Sequence, residues 1–391
     1  MILTIAIVVI IVSLGFNCLY AGLLILHRRR IPVGDLHLTS FPKVNIFIPV
    51  RNLDDGLEEN VTSIFSLDYP NFDVYFAVDG MEDPCMETLE RVRARFPRKR
   101  CAIVLAGHSL LGNPKAHKLA QLQRRGDAPL IWALDSDVRV CPETLRSLVG
   151  EYLRHDARIV FSPIRCRGAR TFGSVLEMSY INFFLSGSVL TAWKLLRKRV
   201  IVGKSLLIER KTLDQFGGFS YFTDVLAEDH WLGETFAQSG FPVRCNYTWV
   251  DTIKETSTVT NYFARMNRWA KLRFNLKKRI YMTEILLNPI ALVLLLSPVL
   301  KTSAFFIAPI VLCARLLLEY AVFFAINESD RRRPSVILSL APAVIVKDLF
   351  MLIVYVLPFF SHTVTWRGGT IQIGKYTMIA LNQENLLYDG A

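Results

Sequence analysis

The chain has 391 residues, enough for two or three domains; 52% of them are hydrophobic, the mean hydropathy is +0.32 and the formal net charge is +12. That pairing of apolar content with a basic excess suits a membrane protein rich in Lys and Arg on its cytoplasmic side. It argues against a nucleic-acid binder, whose charge belongs on a folded soluble face, because here much of the charge adjoins apolar runs.

The seven cysteines, Cys18, Cys85, Cys101, Cys141, Cys166, Cys245 and Cys313, show no CxxC and no paired spacing. They read as reduced thiols, two in apolar runs and five in a cytosolic domain, with neither a zinc site nor a disulfide framework.

Residues 1–26 are almost uninterrupted apolar side chains, followed directly by His27, Arg28, Arg29 and Arg30. The run is long enough for a hydrocarbon core of ~30 Å. The basic cluster follows it and none precedes it, which places the N-terminus outside and Arg30 in the cytoplasm. A cleaved signal peptide carries its charge before the apolar core and a small-residue site after it, so the segment reads as an anchor.

From Lys43 the pattern becomes that of an α/β domain. Residues 44–50, 72–78, 102–105 and 131–134 read as strands; 54–67, 83–96 and 115–124 read as the intervening helices. Strands alternating with helices imply a Rossmann-like, mostly parallel sheet whose ligands sit at the carboxyl ends of the strands. Asp79 stands at one such end and Asp135 with Asp137 at another. Two carboxylates two residues apart on extended chain point to one side, a pattern that serves either a turn or a hard divalent cation gripping a diphosphate.

Residues 172–199 suit either a membrane surface or an amphipathic helix packed on the sheet. Residues 202–208 read as a further strand. Ala227, Glu228 and Asp229 open a helix that ends near Gly240; Asp229 serves as its cap, as a general base, or as both. Arg265, Arg268 and Trp269 share a helix face, and two guanidinium groups on one face suit a diphosphate. The basic cluster at Lys277, Lys278 and Arg279 is also what the positive-inside rule asks for before an apolar segment.

The last third is membrane-like. Residues 286–300 and 303–326 read as a hairpin crossing twice and returning at Arg331, Arg332 and Arg333. Residues 336–360 read either as another span or as a re-entrant or broken helix, because Lys347 and Asp348 sit at their middle. The expected domains are an anchor at 1–26, a catalytic domain at 43–280, membrane or re-entrant helices at 283–362 and a tail at 363–391, with the C-terminus cytoplasmic.

In combination these stretches resemble membrane-bound GT-A glycosyltransferases of the family 2 and family 21 type, most of all ceramide glucosyltransferases and their bacterial relatives acting on hopanoids and similar lipids. The resemblance rests on LDYP at 67–70, NPK at 113–115, DSDVRV at 135–140, AED at 227–229, RMNRW at 265–269 with KLR at 271–273, and TVTWRG at 363–368. It implies an α/β GT-A cytoplasmic domain between N- and C-terminal transmembrane helices. It further implies that Pro49, Lys115 and Asp79 or Asp83 contact the donor nucleotide, and that Asp135 and Asp137 hold its diphosphate through Mg²⁺ or Mn²⁺. Asp229 is then the base, and Arg265, Arg268 and Trp269 close over the diphosphate.

The implied reaction is inverting transfer of a hexose from a UDP-sugar to a membrane lipid, UDP-glucose to ceramide first, with a hopanoid, diacylglycerol or other polyol lipid and UDP-GlcNAc as alternatives. The implied location is a bacterial inner membrane, or the Golgi or ER of a eukaryote, with the catalytic domain cytoplasmic and no nucleic-acid partner. His117 and Lys118 depart from the two asparagines common after NPK, and Asp79 stands one step earlier than in the animal ceramide enzymes. The rival readings are a processive polysaccharide synthase, which usually carries Gln where Arg265 stands and needs more crossings, and an inactive membrane scaffold.

Overall fold

The computed structural model describes residues 1–29, 38, 40–109, 112–198, 200–366 and 369–380. The expectations for Arg30, Arg199, Arg367, Gly368 and residues 381–391 lie outside the described residues. Two compact units emerge, each built from separate stretches: Leu26–Gly168 with Ser188–Glu255, and Met1–Ile25 with Ala169–Gly187 and Thr256–Ala391. This division differs from the expected boundaries, because residues 169–187 and 256–280 group with the apolar helices.

The first unit is organised by a seven-stranded sheet. Its strands are β1 Val44–Pro49, β2 Phe72–Val78, β3 Cys101–Leu105, β4 Leu130–Leu134, β6 Ile159–Phe161, β8 Ser205–Glu209 and β9 Val243–Cys245, in the order β3-β2-β1-β4-β8-β6-β9. Every residue of β1 and β4 is buried, as continuous apolar runs must be when both sheet faces are covered. β1 to β4 are parallel, with Val44 opposite Phe72 on one side and Leu130 on the other. The order reverses between β1 and β4, so the crevice beyond their carboxyl ends is the place where such sheets bind ligands.

β8 departs from the parallel pattern. It runs antiparallel to β4 and pairs Leu134 with Ser205. A smaller sheet joins β5 Val138–Arg139, β7 Ile164–Arg167 and β10 Val250–Ile253 in the order β5-β10-β7. The helix Pro114–Gln123 starts where the sequence asks it to: Asn113 Oδ1 accepts from Lys115 N at 2.9 Å and Ala116 N at 3.2 Å, and Pro114 needs no partner at the first helical position.

The second unit is helical. Its helices include Ile2–Arg29, Phe172–Ser179, continued by the π-helix Tyr180–Leu185, and Val259–Leu276, Ser303–Ile326 and Pro334–Val356. Four stretches among the described residues are long and apolar enough to cross a bilayer: Ile2–Arg28, Phe172–Lys194, Ser303–Ile326 and Pro334–Phe359. The Phe172–Lys194 stretch is mostly buried within the protein, and its first helix, Phe172–Ser179, packs against Val259–Leu276 and Pro334–Val356 instead of on the sheet.

The expected crossing at 286–300 is not a span. It is divided into Pro289–Leu295 and Ser297–Leu300 and stops at Lys301, which has φ +49°. Residues 289–300 reach roughly 18 Å at 1.5 Å per residue, short of the ~30 Å of hydrocarbon. Of the two alternatives for residues 336–360, the helix is not broken at Lys347 and Asp348, since Pro334–Val356 runs through both. The reason is that both charges are paired and buried inside the unit. In the same unit Lys271 of the KLR stretch is buried and donates to Ser361 Oγ at 3.0 Å and Thr363 O at 2.6 Å, tying the helix Val259–Leu276 to the strand Thr363–Trp366.

Candidate active site

β4 delivers its two aspartates into the crevice directly after its last residue. Their neighbours are set by strand register: because Leu134 pairs with Ser205, Lys204 lies across from Asp135, whose N–H donates to Lys204 O at 3.1 Å. Lys204 Nζ then reaches both oxygens of Asp137, at 2.6 and 2.7 Å, and Asp135 Oδ2 at 3.3 Å. Lys254, one residue past β10, adds a contact to Asp137 at 2.7 Å.

Lys115 is the hub of the cluster. Held at the start of its helix by the Asn113 cap, it lies 2.8 Å from Asp135 and 3.2 Å from Glu228, and donates to Gly203 O at 2.8 Å. Asn113 also donates to Glu228 Oε2 at 2.8 Å. Asp229 follows on the first turn of the helix Glu228–Gln238. Its Oδ2 accepts from Gly203 N at 2.7 Å and its Oδ1 from His230 N at 2.8 Å. The position that caps the helix is Ala227.

Four carboxylates and three ammonium groups thus share one partly desolvated crevice. Burial opposes the charge of Asp137, but Lys204 and Lys254 outweigh it and hold the carboxyl well below the usual carboxylate range. Burial likewise opposes Asp135, which Lys115 and Lys204 keep below its ordinary value. For Lys115, burial is outweighed by Asp135, Glu228 and Asp229, so its ammonium is held above the ordinary lysine range. Glu228 goes the other way: burial, helped by Asp229, raises it against the pull of Lys115.

Gly203 shows how tightly Asp229 is seated. A Cβ there would lie 2.6 Å from Asp229 Cβ and 2.8 Å from its Oδ2. Gly203→Ala is therefore expected to push the carboxylate aside and lower turnover by roughly 10²-fold, the scale of a 1 Å misplacement, and, because the nearest atom is Asp229 Cβ, to lower the melting temperature as well. Unchanged kcat would show that Asp229's seat is unimportant.

The remaining expected residues fall into separate settings. Asp79, just after β2, is nearly buried and lies among three basic side chains: Lys118 at 2.6 Å, Arg51 at 3.2 Å and His108 at 3.3 Å. Lys118 also donates to Val50 O at 2.6 Å, and His117 Nε2 bonds to Ala106 O at 3.0 Å. The two residues after NPK therefore brace the ends of neighbouring strands. Asp83 Oδ1 accepts from Asn52 N at 2.9 Å and Cys85 N at 3.1 Å, pinning two backbone segments. Pro49 closes β1 opposite Ala77.

Arg265, Arg268 and Trp269 belong to the helical unit. There Arg265 Nη1 pairs with the fully buried Glu177 at 3.0 Å, and the Trp269 ring lies 5.9 Å from that of Tyr180.

Whether the acidic pair suits a divalent cation turns on the lysines that already contact it. Asp135 meets Lys115 at 2.8 Å through Oδ1 and Lys204 at 3.3 Å through Oδ2; both oxygens are hard donors of the kind Mg²⁺ or Mn²⁺ takes when phosphates complete its shell, and a cation there competes with ammonium groups. Asp137 already has lysine contacts on both oxygens, so a cation there competes with ammonium groups. The carboxylates suit a divalent cation by their chemistry, and at either aspartate it binds by displacing a lysine contact.

The sequence pattern of glycosyl transferase family 21 matches residues 5–379. The chain belongs to this family. Within family 21 terms the acidic pair after β4 and the carboxylate at 229 occupy a GT-A domain, carried by a chain with membrane-spanning helices. Ceramide glucosyltransferase 3 of Caenorhabditis elegans is 24% identical over 248 residues, 63% of this chain and 54% of that protein. Hyaluronan synthase of Streptococcus pyogenes is 25% identical over 268 residues, 63% of this chain and 61% of that protein. The chain spans about half the length of the first of these relatives. A mannosyltransferase from Pyrobaculum calidifontis, solved with GDP-Man and Mn²⁺, superposes with a TM-score of 0.47 at 19% identity over 89% of this chain and 99% of that one.

Lys204, Lys254 and Glu228 were not among the expected site residues. Glu228 adjoins Asp229 in AED and was readable there. Lys204 becomes visible only once β8 is known to run antiparallel beside β4, and Lys254 only through the short strand β10.

Proposed function

We propose that this protein transfers a hexose from a UDP-sugar to the hydroxyl of a membrane lipid by a single inverting displacement, with UDP-glucose and ceramide as the first substrates to test. The observation that carries the reading is the Lys115 cluster, which joins the diphosphate-side carboxylate Asp135 to the Glu228–Asp229 pair at the carboxyl-end crevice. Family membership and the similarity to a ceramide glucosyltransferase support it.

In the proposed step the acceptor oxygen attacks the anomeric carbon. The bond from that carbon to the diphosphate oxygen breaks, and its electron pair leaves with UDP. Asp229, fixed by two backbone N–H donors, takes the acceptor proton. A divalent cation at Asp135, when bound, supplies positive charge to the departing diphosphate. Lys115 and Lys204 hold the acidic pair ionised and ready for it. Arg265 and Arg268 are proposed as phosphate ligands on the chemistry of the guanidinium group, and Asp79 as the nucleoside-side carboxylate. The catalytic unit is proposed to face the cytoplasm, because Arg28 and its basic neighbours follow the first apolar helix.

Lys204 gives this site a fixed positive charge between its two aspartates. Lys204→Met is expected to weaken UDP binding about tenfold in EDTA, the scale of one charge-assisted contact, and much less in saturating Mn²⁺. Equal loss in both conditions would contradict this role. The reading as a whole is tested by mass spectrometry of lipids made by membranes containing the protein, offered a panel of UDP-sugars with ceramide, diacylglycerol and polyol lipids. A β-linked hexosyl lipid is the expected product.

A further inference from the structure

Within the helical unit, four charged side chains lie where apolar ones are the rule. Arg315 and Glu319 on Ser303–Ile326, and Lys347 and Asp348 on Pro334–Val356, are 3%, 2%, 1% and 5% exposed. Charges in membrane helices are expensive and mark function more often than stability. Here they form a neutral set of two cations and two anions. Arg315 Nε donates to Asp348 Oδ2 at 3.1 Å and its Nη2 to Glu319 Oε1 at 2.5 Å. Lys347 pairs with Glu319 and donates to Ser179 Oγ at 2.9 Å. The Phe183 ring lies 4.1 Å from the guanidinium carbon.

One donor in this set is left over. Arg315 Nη1 is buried with no hydrogen-bond partner, a costly state in apolar surroundings. Arg315, Lys347 and Asp348 also line a cavity, with Tyr180, Glu284 and Tyr355 among the other walls and Phe183, Phe184 and Met351 supplying apolar surface. Tyr180 and Phe183 sit on the π-helix Tyr180–Leu185, a distortion common at functional sites. Glu284 is already balanced by Arg273 at 2.8 Å, so the cavity offers an unmatched donor without an unmatched charge.

That combination selects a neutral ligand with an oxygen acceptor and an apolar body. We propose that this cavity of about 30 Å³ is a subsite for a single oxygen of a neutral lipid: a head-group carbonyl or hydroxyl enters it and accepts from Arg315 Nη1, while the rest of the lipid stays outside. The identification of this lipid as the sugar acceptor rests on the function proposed above; the site itself does not.

The test uses the full chain in nanodiscs, with diazirine-bearing ceramide and, separately, diazirine-bearing diacylglycerol as probes. Crosslinks are expected on peptides covering 281–288 and 347–355. Arg315→Lys, which keeps the charge and removes the spare planar donor, is expected to lower crosslinking about tenfold. Met351→Trp, which adds bulk to the cavity wall and keeps all four charged side chains, is expected to abolish it. UDP binding serves as the control that each variant is folded. Crosslinks that map elsewhere in the wild type, or that survive both variants in protein that still binds UDP, overturn the proposal. Crosslinks in the cavity from a protein that glycosylates no lipid sustain the subsite and refute the proposed reaction. Lipid glycosylation with crosslinks elsewhere does the reverse. Preference for one probe assigns the head as amide or glyceride.

Discussion

Replacing Asp229 by Asn is expected to lower sugar transfer by roughly 10²–10⁴-fold, the usual worth of a positioned general base, while UDP affinity stays within about twofold. The amide keeps the shape of the carboxylate, and its one oxygen can still accept from Gly203 N, at the loss of the His230 N contact. What it loses is the ability to take the acceptor proton. Single-turnover rates measured beside UDP titrations separate the two effects. A variant that transfers at the wild-type rate would remove Asp229 as the base, whereas parallel loss of UDP binding would make it a donor-positioning residue.

Lys115→Met is expected to have the largest effect on both stability and binding. The side chain neutralises Asp135 and Glu228 together, and neither carboxylate is more than a quarter exposed. Breaking a buried pair by removing one partner costs roughly 3–5 kcal/mol, because the other charge is left uncompensated. UDP affinity should fall in the same variant, since Asp135 loses its anchor.

The pH dependence follows from Glu228, already raised by burial. Without Lys115 its folded value rises further above the unfolded one. Keeping it ionised then costs stability at neutral pH, and protonation relieves that cost. The deficit in denaturant midpoint is therefore expected to shrink as pH falls toward the ordinary carboxylate range. A deficit that is constant from neutral to mildly acidic pH would mean that Glu228 does not carry the lost interaction.

Much of this site is readable in the residues themselves. The apolar runs at 44–49, 72–78 and 130–134 allow little except buried parallel strands, and a parallel sheet places Asp79 and Asp135 at ligand-binding ends before any coordinate is known. The acidic side of the crevice is local chemistry attached to strong strands. Its basic side is not local. Lys204 stands 67 residues from Asp137, and Lys254 follows a four-residue strand whose apolar content is too short to announce it. Both depend on which strands pair and in which direction, a tertiary outcome that propensity does not encode.

The same limit explains the membrane segments. Residues 286–300 are apolar enough to suggest a crossing, yet the helix is divided near Leu296 and ends at Lys301. Lys347 and Asp348 look prohibitive until Glu319 and Arg315 are found opposite them.

The most direct test of the central claim is transfer itself. Membranes containing the protein are given UDP-[¹⁴C]glucose, Mn²⁺ and ceramide, with release of UDP and label in extracted lipid followed together. The expected result is one UDP released per labelled β-glucosyl lipid formed, with both lost in Asp229→Asn. Specific UDP-sugar binding with no label in ceramide or in any other lipid of the panel, under conditions where the wild-type protein is folded, would contradict the proposed reaction.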